Sequence, residues 1–405
     1  MKNNLYGGII KINRKQAEIK LEYISTCTGI SKGQLSKIER NREYASHEQI
    51  EDIFNVLNLK KHNEDINGQF EKDFYTFYNN IAYARDYEQS YQKILSYENV
   101  IKTSLSYIKF LLSQMIYHIN KNDLKTIKEY MYLEDYFEYL ESYQIQLFYD
   151  YCGAYYINQH KYKSSLDYFE TALSYKGIPL SKAMVQYHLA TSLTYLNEVG
   201  EAFPYITEAI GIFSERLNLK RLTLSQQLLA IIYVKLGNYE KSEDINLSCL
   251  NAFTELNMPY QVIEIYNNLL WSYVLSENYQ KIILKKDEIL LKMKVSHSIY
   301  FYISYAYYKL GNLDEARIYI KLAKEHLNHP TDYMQSMIKT FAIYLSDAKI
   351  IRKEKYLLRV YDAAVKSQKE DLVIFTLNMI IDFYVETNQK EKEYEYMKLL
   401  LCYKI

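Results

Sequence analysis

Along most of the chain apolar side chains recur every three or four residues, while strict apolar–polar alternation, the mark of a half-buried strand, is scarce. Leu269, Leu270, Tyr273 and Leu275, followed across a turn by Ile282 and Ile283, form one such stripe. In the first sixty residues the same period predicts four short helices. Ile9, Ile10 and Ile12 begin the first, residues 19–28 form the second, 31–40 the third and 47–57 the fourth, with Ile50, Ile53, Phe54 and Leu57 turned inward. Only 4 prolines and 11 glycines interrupt 405 residues, so the pattern predicts an all-α fold.

A longer period lies on top of the helical one. A turn of Gly, Asn or a charged residue, then Asn or Asp, then an aromatic or apolar residue, recurs at Tyr87, Leu124, Tyr162, Val199, Tyr239, Tyr279, Leu313, Ile350 and Gln389. The intervals are 37, 38, 37, 40, 40, 34, 37 and 39 residues, the length of a helix pair of the tetratricopeptide kind. Pro179, Pro259 and Pro330 fall 17 to 20 residues after a mark, where one repeat hands over to the next, and Pro204 is expected in the first turn of a helix. Eight to nine stacked repeats would share one core as a right-handed superhelix, which accounts for most of the 46 tyrosines as packing between helices. The expected division is a head over 1–60, a linker over 61–70 in the polar run KKHNEDINGQ, and repeats over 71–405.

Within the head, GISKGQLSKIERN (Gly29 to Asn41) contains a glycine that can close one helix in a left-handed turn, a serine that can cap the next, and Leu35 and Ile38 as the inward face of that next helix. A helix, a tight turn and a second short helix are the parts of a DNA-reading unit. The outward positions Ser31, Lys32, Gln34, Ser36 and Lys37 suit base edges and backbone, and Lys20, Arg40 and Arg42 suit phosphates. Charge agrees with this placement. Residues 1–62 carry 11 basic and 7 acidic residues, net +4, so the remainder of a chain with 49 of each carries net −4.

Cys27, Cys152, Cys249 and Cys402 are widely separated and form no metal-ligand spacing, which fits a reducing, cytoplasmic setting; Cys27 is expected to be a small buried apolar residue. No window approaches the roughly 20 apolar residues of a membrane span, and no signal peptide is evident. The phosphate-binding, dinucleotide, zinc-protease and nucleophile-elbow strings are absent, so neither a catalytic set, a cofactor nor a metal is expected. His326 and His329 are expected to be exposed at a helix end.

The run IKLEYISTCTGISKGQLSKIERNREYASHEQIEDIFNVLNL resembles the lambda-repressor-type (XRE) helix-turn-helix, with its Gly-apolar-Ser turn and its S-K-I-E-R ending. It departs from that pattern at Lys20 and Leu21, where Thr-Gln is usual, and at Ala45, where Pro often stands. Joined to a tetratricopeptide body, such a head is similar to the peptide-sensing RRNPP family of PlcR, PrgX, NprR and Rgg. That resemblance implies a cytoplasmic, homodimeric transcription regulator that binds double-stranded DNA and takes a short signalling peptide of the quorum-sensing type into its groove.

If each mark is the seventeenth position of a repeat, the groove-facing positions of the first helices hold Gln227, Lys235, Asn267, Asn268, Trp271, Tyr302, Tyr305, Tyr308, Lys309 and Asn378. An asparagine amide can serve both the N–H and the C=O of an extended peptide, and asparagines at this position type do so in the family the chain resembles. Trp271, the single tryptophan, suits either the groove or the core. Two other readings remain at this point: repeats that bind a protein partner such as a response regulator, and a DNA-binding regulator without a ligand.

Overall fold

The structure, a computed structural model, describes residues 5–59, 65–123, 125–292, 296–327, 332–367 and 369–403. Among these every regular element is a helix. The head comprises α1 (Tyr6–Gln16), α2 (Leu21–Thr28), α3 (Lys32–Ile38) and α4 (His47–Val56). There follow α5 (Ile66–Ala82), α6 (Glu88–Leu95), the single turn α7 (Glu98–Ile101), α8 (Tyr107–Lys121) and two 3-10 helices, Ile127–Glu129 and Met131–Tyr139. From there the helices come in consecutive pairs: α9 (Ser142–Asn158) with α10 (Tyr162–Ser174), α11 (Pro179–Tyr195) with α12 (Val199–Glu215), and α13 (Leu219–Lys235) with α14 (Tyr239–Glu255). The later pairs are α15 (Pro259–Leu275) with α16 (Tyr279–Lys292), α17 (His297–Lys309) with α18 (Leu313–Glu325), α19 (Asp332–Tyr344) with α20 (Ile350–Ser367), and α21 (Glu370–Glu386) with α22 (Lys390–Leu401).

The repeat marks have a local cause. Tyr162, Val199, Tyr239, Tyr279, Leu313 and Ile350 are each the first residue of the second helix of a pair, and Gln389 is the N-cap of α22. Two residues before five of them the backbone is left-handed, at His160, Asn197, Gly237, Glu277 and Gly311, with φ between 57° and 81°. The turn therefore asks for Gly or Asn, and His160 and Glu277 occupy it at a cost of about 1 kcal/mol each. Pro179 and Pro259 open α11 and α15, where the missing N–H has no partner to lose. Pro204 differs from expectation: it is the sixth residue of α12, beyond the first turn, and removes one bond of the helix ladder. Leu124 and Pro330 lie outside the described residues.

The chain divides into two compact units, Met1–Ser192 with Gly211–Arg221, and Leu193–Ile210 with Leu222–Ile405. In the first, the head's predicted inward residues Ile9, Ile10, Ile12, Leu35, Ile38, Ile50, Ile53, Phe54 and Leu57 are all buried. Gly29 closes α2 with φ 71°, and the Ser31 hydroxyl accepts the Gln34 N–H at 3.2 Å. The head is seated on helices of its own unit: Asn13 Nδ2 donates to the Lys102 carbonyl (2.7 Å), Tyr107 to Gln16 (2.7 Å), and the Gly8 N–H to the Tyr139 hydroxyl (3.1 Å). After α8 the chain makes 3-10 turns in place of a regular second helix, and these carry Tyr136 and Tyr139 to the head, where Lys11 lies over the Tyr136 ring. Of the run 60–69, expected to be linker, residues 60–64 lie outside the described residues. Ile66 already begins α5, because Ile66 and Phe70, one turn apart, are both buried.

In the second unit a continuous core runs from Cys249 and Phe253 through Leu269, Tyr273, Phe301, Tyr305 and Phe341 to Phe383 and Tyr384. The first helices of successive pairs thus share one interior, as stacked repeats must. Tyrosines share it with isoleucines and phenylalanines, and two of their hydroxyls are led to carboxylates at its edge, Tyr266 to Glu288 (3.1 Å) and Tyr273 to Glu243 (2.7 Å).

Candidate functional site

Two surfaces gather the residues singled out in the sequence. On the head, Lys20, Ser31, Lys32, Lys37, Arg40 and Arg42 are exposed and Gln34 and Ser36 half-buried; all lie on or flank α3 except Lys20, which is the N-cap of α2. Ser31 is occupied as the helix cap, so its hydroxyl positions α3. Lys32 pairs with Glu22 and Lys37 with Glu43 (3.5 Å); such exposed pairs are weak and leave the cations available to a phosphate. The Lys32 hydrogen bond holds the Glu22 carboxyl below its ordinary value. Beneath this face Glu39 is buried and grips Arg14 with both oxygens, at 2.6 and 2.9 Å, while Arg14 also donates to the Ile19 carbonyl (3.0 Å). The Glu39 carboxylate pushes the Arg14 guanidinium above its ordinary value. The clamp ties the end of α3 to α1 and to the entry of α2.

Two smaller expectations are corrected. Cys27 is exposed, because the inward stripe of the eight-residue α2 runs through Ile24, Leu21 and Thr28 and leaves Cys27 outside it. His326 is half-buried: its Nδ1 lies 2.9 Å from the Leu322 carbonyl and its ring centroid 4.9 Å from that of Tyr300. His329 lies outside the described residues.

The second surface is a cavity of about 970 Å³ in the second unit, walled by the end of α13 and by α15, α17 and α21. Its floor is made by Phe375 of α21, which packs against Tyr305 (4.9 Å between ring centroids) and Trp271 (5.2 Å). The rim is polar. Lys309 pairs with Asp382 (2.8 Å), Trp271 Nε1 donates to Asp371 (3.0 Å), and Asn197 donates to Glu370 while accepting from Lys235 (3.0 Å). With Glu277, four carboxylates face two lysines across this space.

Of the predicted groove residues, Lys235, Tyr305, Lys309 and Asn378 line the cavity, while Asn267, Asn268, Trp271 and Tyr302 line an adjoining recess of about 150 Å³. Tyr302 and Tyr305 are 6% and 2% exposed and serve as wall; burial pushes both hydroxyls well above their ordinary range. Tyr308 shares its hydroxyl with Tyr344 (2.9 Å) and Glu386 and ties α17 to α19 and α21. Trp271 fills both roles foreseen for it, one edge in the core and one on the recess. Gln227 stands apart: it is buried and its amide is turned to Glu264 (3.3 Å), so it packs between α13 and α15 and lines none of these spaces. Asn267 is spent as well, donating to the Ile263 carbonyl (3.1 Å) and accepting from Ser298 (2.7 Å). Asn268 and Asn378 make no hydrogen bond among the described residues.

Sequence reasoning missed Asn197 and the carboxylates Glu277, Glu370, Asp371 and Asp382. Part of the signal was present, since Asp371, Asn378 and Asp382 are spaced by seven and four residues and share one helical face. Among the described residues, groups of acidic, cysteine and histidine side chains form no metal-binding cluster, and no helix is long and apolar enough to cross a membrane.

Fold and site together define an all-helical protein of the tetratricopeptide-repeat type, with four short helices ahead of the repeats. No family model matches the chain. In sequence it is similar to the transcriptional activator NprA of Geobacillus stearothermophilus, 24% identical over 328 residues, which cover 75% of this chain and 80% of that protein. In structure it is similar to a Rap protein complexed with competence and sporulation factor (TM-score 0.64, 16% identity, 83% of this chain and 98% of that one). It is similar also to the apo quorum sensor NprR from B. thuringiensis (TM-score 0.63, 15% identity, 84% and 100%) and to NprR in complex with its cognate peptide NprX (TM-score 0.58, 17% identity, 82% and 98%). The helical-repeat fold expected from the sequence thus returns in these solved structures.

Proposed function

We propose that the protein is a non-enzymatic, DNA-binding transcription regulator whose repeat groove binds a short signalling peptide. Residues 1–60 form the XRE-type DNA-binding head, and the repeats from residue 71 onward bind the peptide and join two cytoplasmic copies as a homodimer. The observation that carries this reading is the pair of unbonded amides, Asn268 and Asn378, on the walls of a polar space of about 970 Å³ and its recess. A space of that size is at the upper end of what small ligands need, and free amides are what an extended backbone pairs with. The likeness to NprA supports a role in transcription, and the cationic face of α3 supports contact with DNA. A peptide that favours one arrangement of the two heads would change their match to two half-sites.

The test is native mass spectrometry of the full-length protein incubated with peptides extracted from the medium of its source cells, with Asn268→Ala alongside and DNase footprinting of both. Retention of a peptide by the wild type, its loss in the variant, and a footprint that changes with the peptide are expected. A footprint with no retained peptide would replace this reading by the ligand-free regulator. Neither peptide nor footprint would leave the repeats as a platform for a protein partner.

A further inference from the structure

Sharing Val234, Lys235 and Asp371 with the large cavity is a smaller pocket of about 200 Å³, between α13, α14 and α15. Ile231, Val234 and Trp271 give it apolar walls. Asn246 of α14 also lines it, although this side chain has no exposed surface. Its Nδ2 donates to the Ser242 carbonyl (2.9 Å) and to the Ser242 hydroxyl (3.2 Å). A backbone carbonyl only accepts, so the amide cannot be turned round, and Oδ1 must face away from Ser242. That oxygen is buried and has no hydrogen-bond partner.

A buried acceptor without a donor is costly, and Asn is a poor residue for a helix interior; the bonds to Ser242 account for Nδ2 and leave Oδ1 without a partner. Across the same pocket Asn268 presents an unbonded amide. The remaining charges narrow what fits. Lys235 and Lys369 disfavour a cationic tip, while Asp371 and the Asn246 oxygen disfavour an anionic one. The complement is a side chain with an apolar body and a neutral N–H or O–H at its end.

We propose that this pocket is the specificity subsite of the groove: it takes one amide or hydroxyl side chain of the bound peptide, Asn, Gln, Ser or Thr, with Asn246 Oδ1 accepting its hydrogen and Asn268 holding the backbone beside it. This rests on the reading of the groove as a peptide site. A site built to bond a donor rejects an isostere that lacks one far more strongly than an apolar site rejects a methylene, because the buried acceptor is then left unpaired.

The test is affinity selection of a synthetic random heptapeptide pool on full-length wild-type protein and on Asn246→Leu, read by mass spectrometry. The wild type is expected to enrich peptides with one position restricted to Asn, Gln, Ser or Thr, and exchanging that residue for Leu in a resynthesised peptide should weaken binding about a hundredfold. In Asn246→Leu the same position should turn apolar while the others keep their preferences. Wild-type peptides with no such position, or a preference unchanged in the variant, would overturn the subsite and leave the peptide reading standing. A wild type that enriches nothing would remove both. Should Asn246→Leu not fold, the Asn-to-Leu exchange in the peptide on wild-type protein decides alone.

Discussion

Asn267 and Asn268 stand side by side on α15, yet only Asn268 is free to bind anything. Asn267 bonds back into its own helix and across to Ser298 of α17, so its amide already has both a donor and an acceptor to satisfy. The two alanine variants should therefore separate cleanly. Asn268→Ala is expected to lower peptide affinity about tenfold and leave the urea midpoint in place. Asn267→Ala is expected to cost about 1 kcal/mol of stability and to weaken the peptide less, and equal effects of the two in an unfolding titration would contradict this assignment. In the head, Glu39 presents the opposite case, a charge with no surface to give. Glu39→Gln leaves the Arg14 guanidinium without its carboxylate in a largely buried place and should cost about 3 kcal/mol, read as a lower denaturant midpoint.

At the scale of the helix pair the repeat carries a polar joint as well as an apolar core. Glu243 accepts from Tyr273 (2.7 Å) and pairs with Lys281 (2.6 Å), and Glu354 accepts from Tyr384 (2.9 Å) and pairs with Lys392 (2.6 Å). Both triads have offsets of 30 and 38 residues, so one device joins a second helix to the whole of the next pair twice over. Burial pushes the Glu243 carboxyl up, but Lys281 and Tyr273 outweigh it and hold it below the ordinary value; at Glu354 the Lys392 hydrogen bond leads and burial opposes. A depressed carboxyl binds fewer protons folded than unfolded. Its contribution is complete above the unfolded value of 4.5 and fades as the pH falls through the lower folded value. The double variant Glu243→Gln/Glu354→Gln should therefore be less stable at pH 7, by about 1 kcal/mol per site, and lose less on acidification below pH 4.5 than the wild type. Parallel urea midpoints for the two proteins between pH 7 and pH 3 would contradict this.

For the molecule as a whole, the DNA binding proposed for the head would divide its outward residues into two kinds. Lys32 and Gln34 lie on the outward face of α3, so Lys32→Ala/Gln34→Ala should relax the choice among sequences more than it weakens binding. Arg40 and Arg42 follow α3, and their loss should weaken binding to all sequences alike and flatten the dependence on salt by about one unit of log-log slope per cation. Fluorescence anisotropy on matched and scrambled operators across a salt series reads both, and a variant pair that exchanges these behaviours would reverse the assignment.

The helix pairs and the turn within the head were legible in the sequence because both are local. A 3.6-residue stripe, a left-handed turn two residues before a helix, and a serine three residues before the N–H it caps act within a few residues of one another. The inward set of the head was legible for the same reason. What only the tertiary structure decided is which polar side chains are spent and which are free. Gln227, Asn267 and Asn268 share a register position type, but they differ in the partners that neighbouring helices bring. The carboxylates that rim the cavity meet partners 100 and 173 residues away, as Asp371 does with Trp271 and Glu370 with Asn197, and no local pattern encodes such a meeting. The sequence by itself determined the repeat and its register, since helices and turns form from neighbours in the chain; the chemistry of the groove was decided only when distant helices stacked and used up some of its hydrogen bonds.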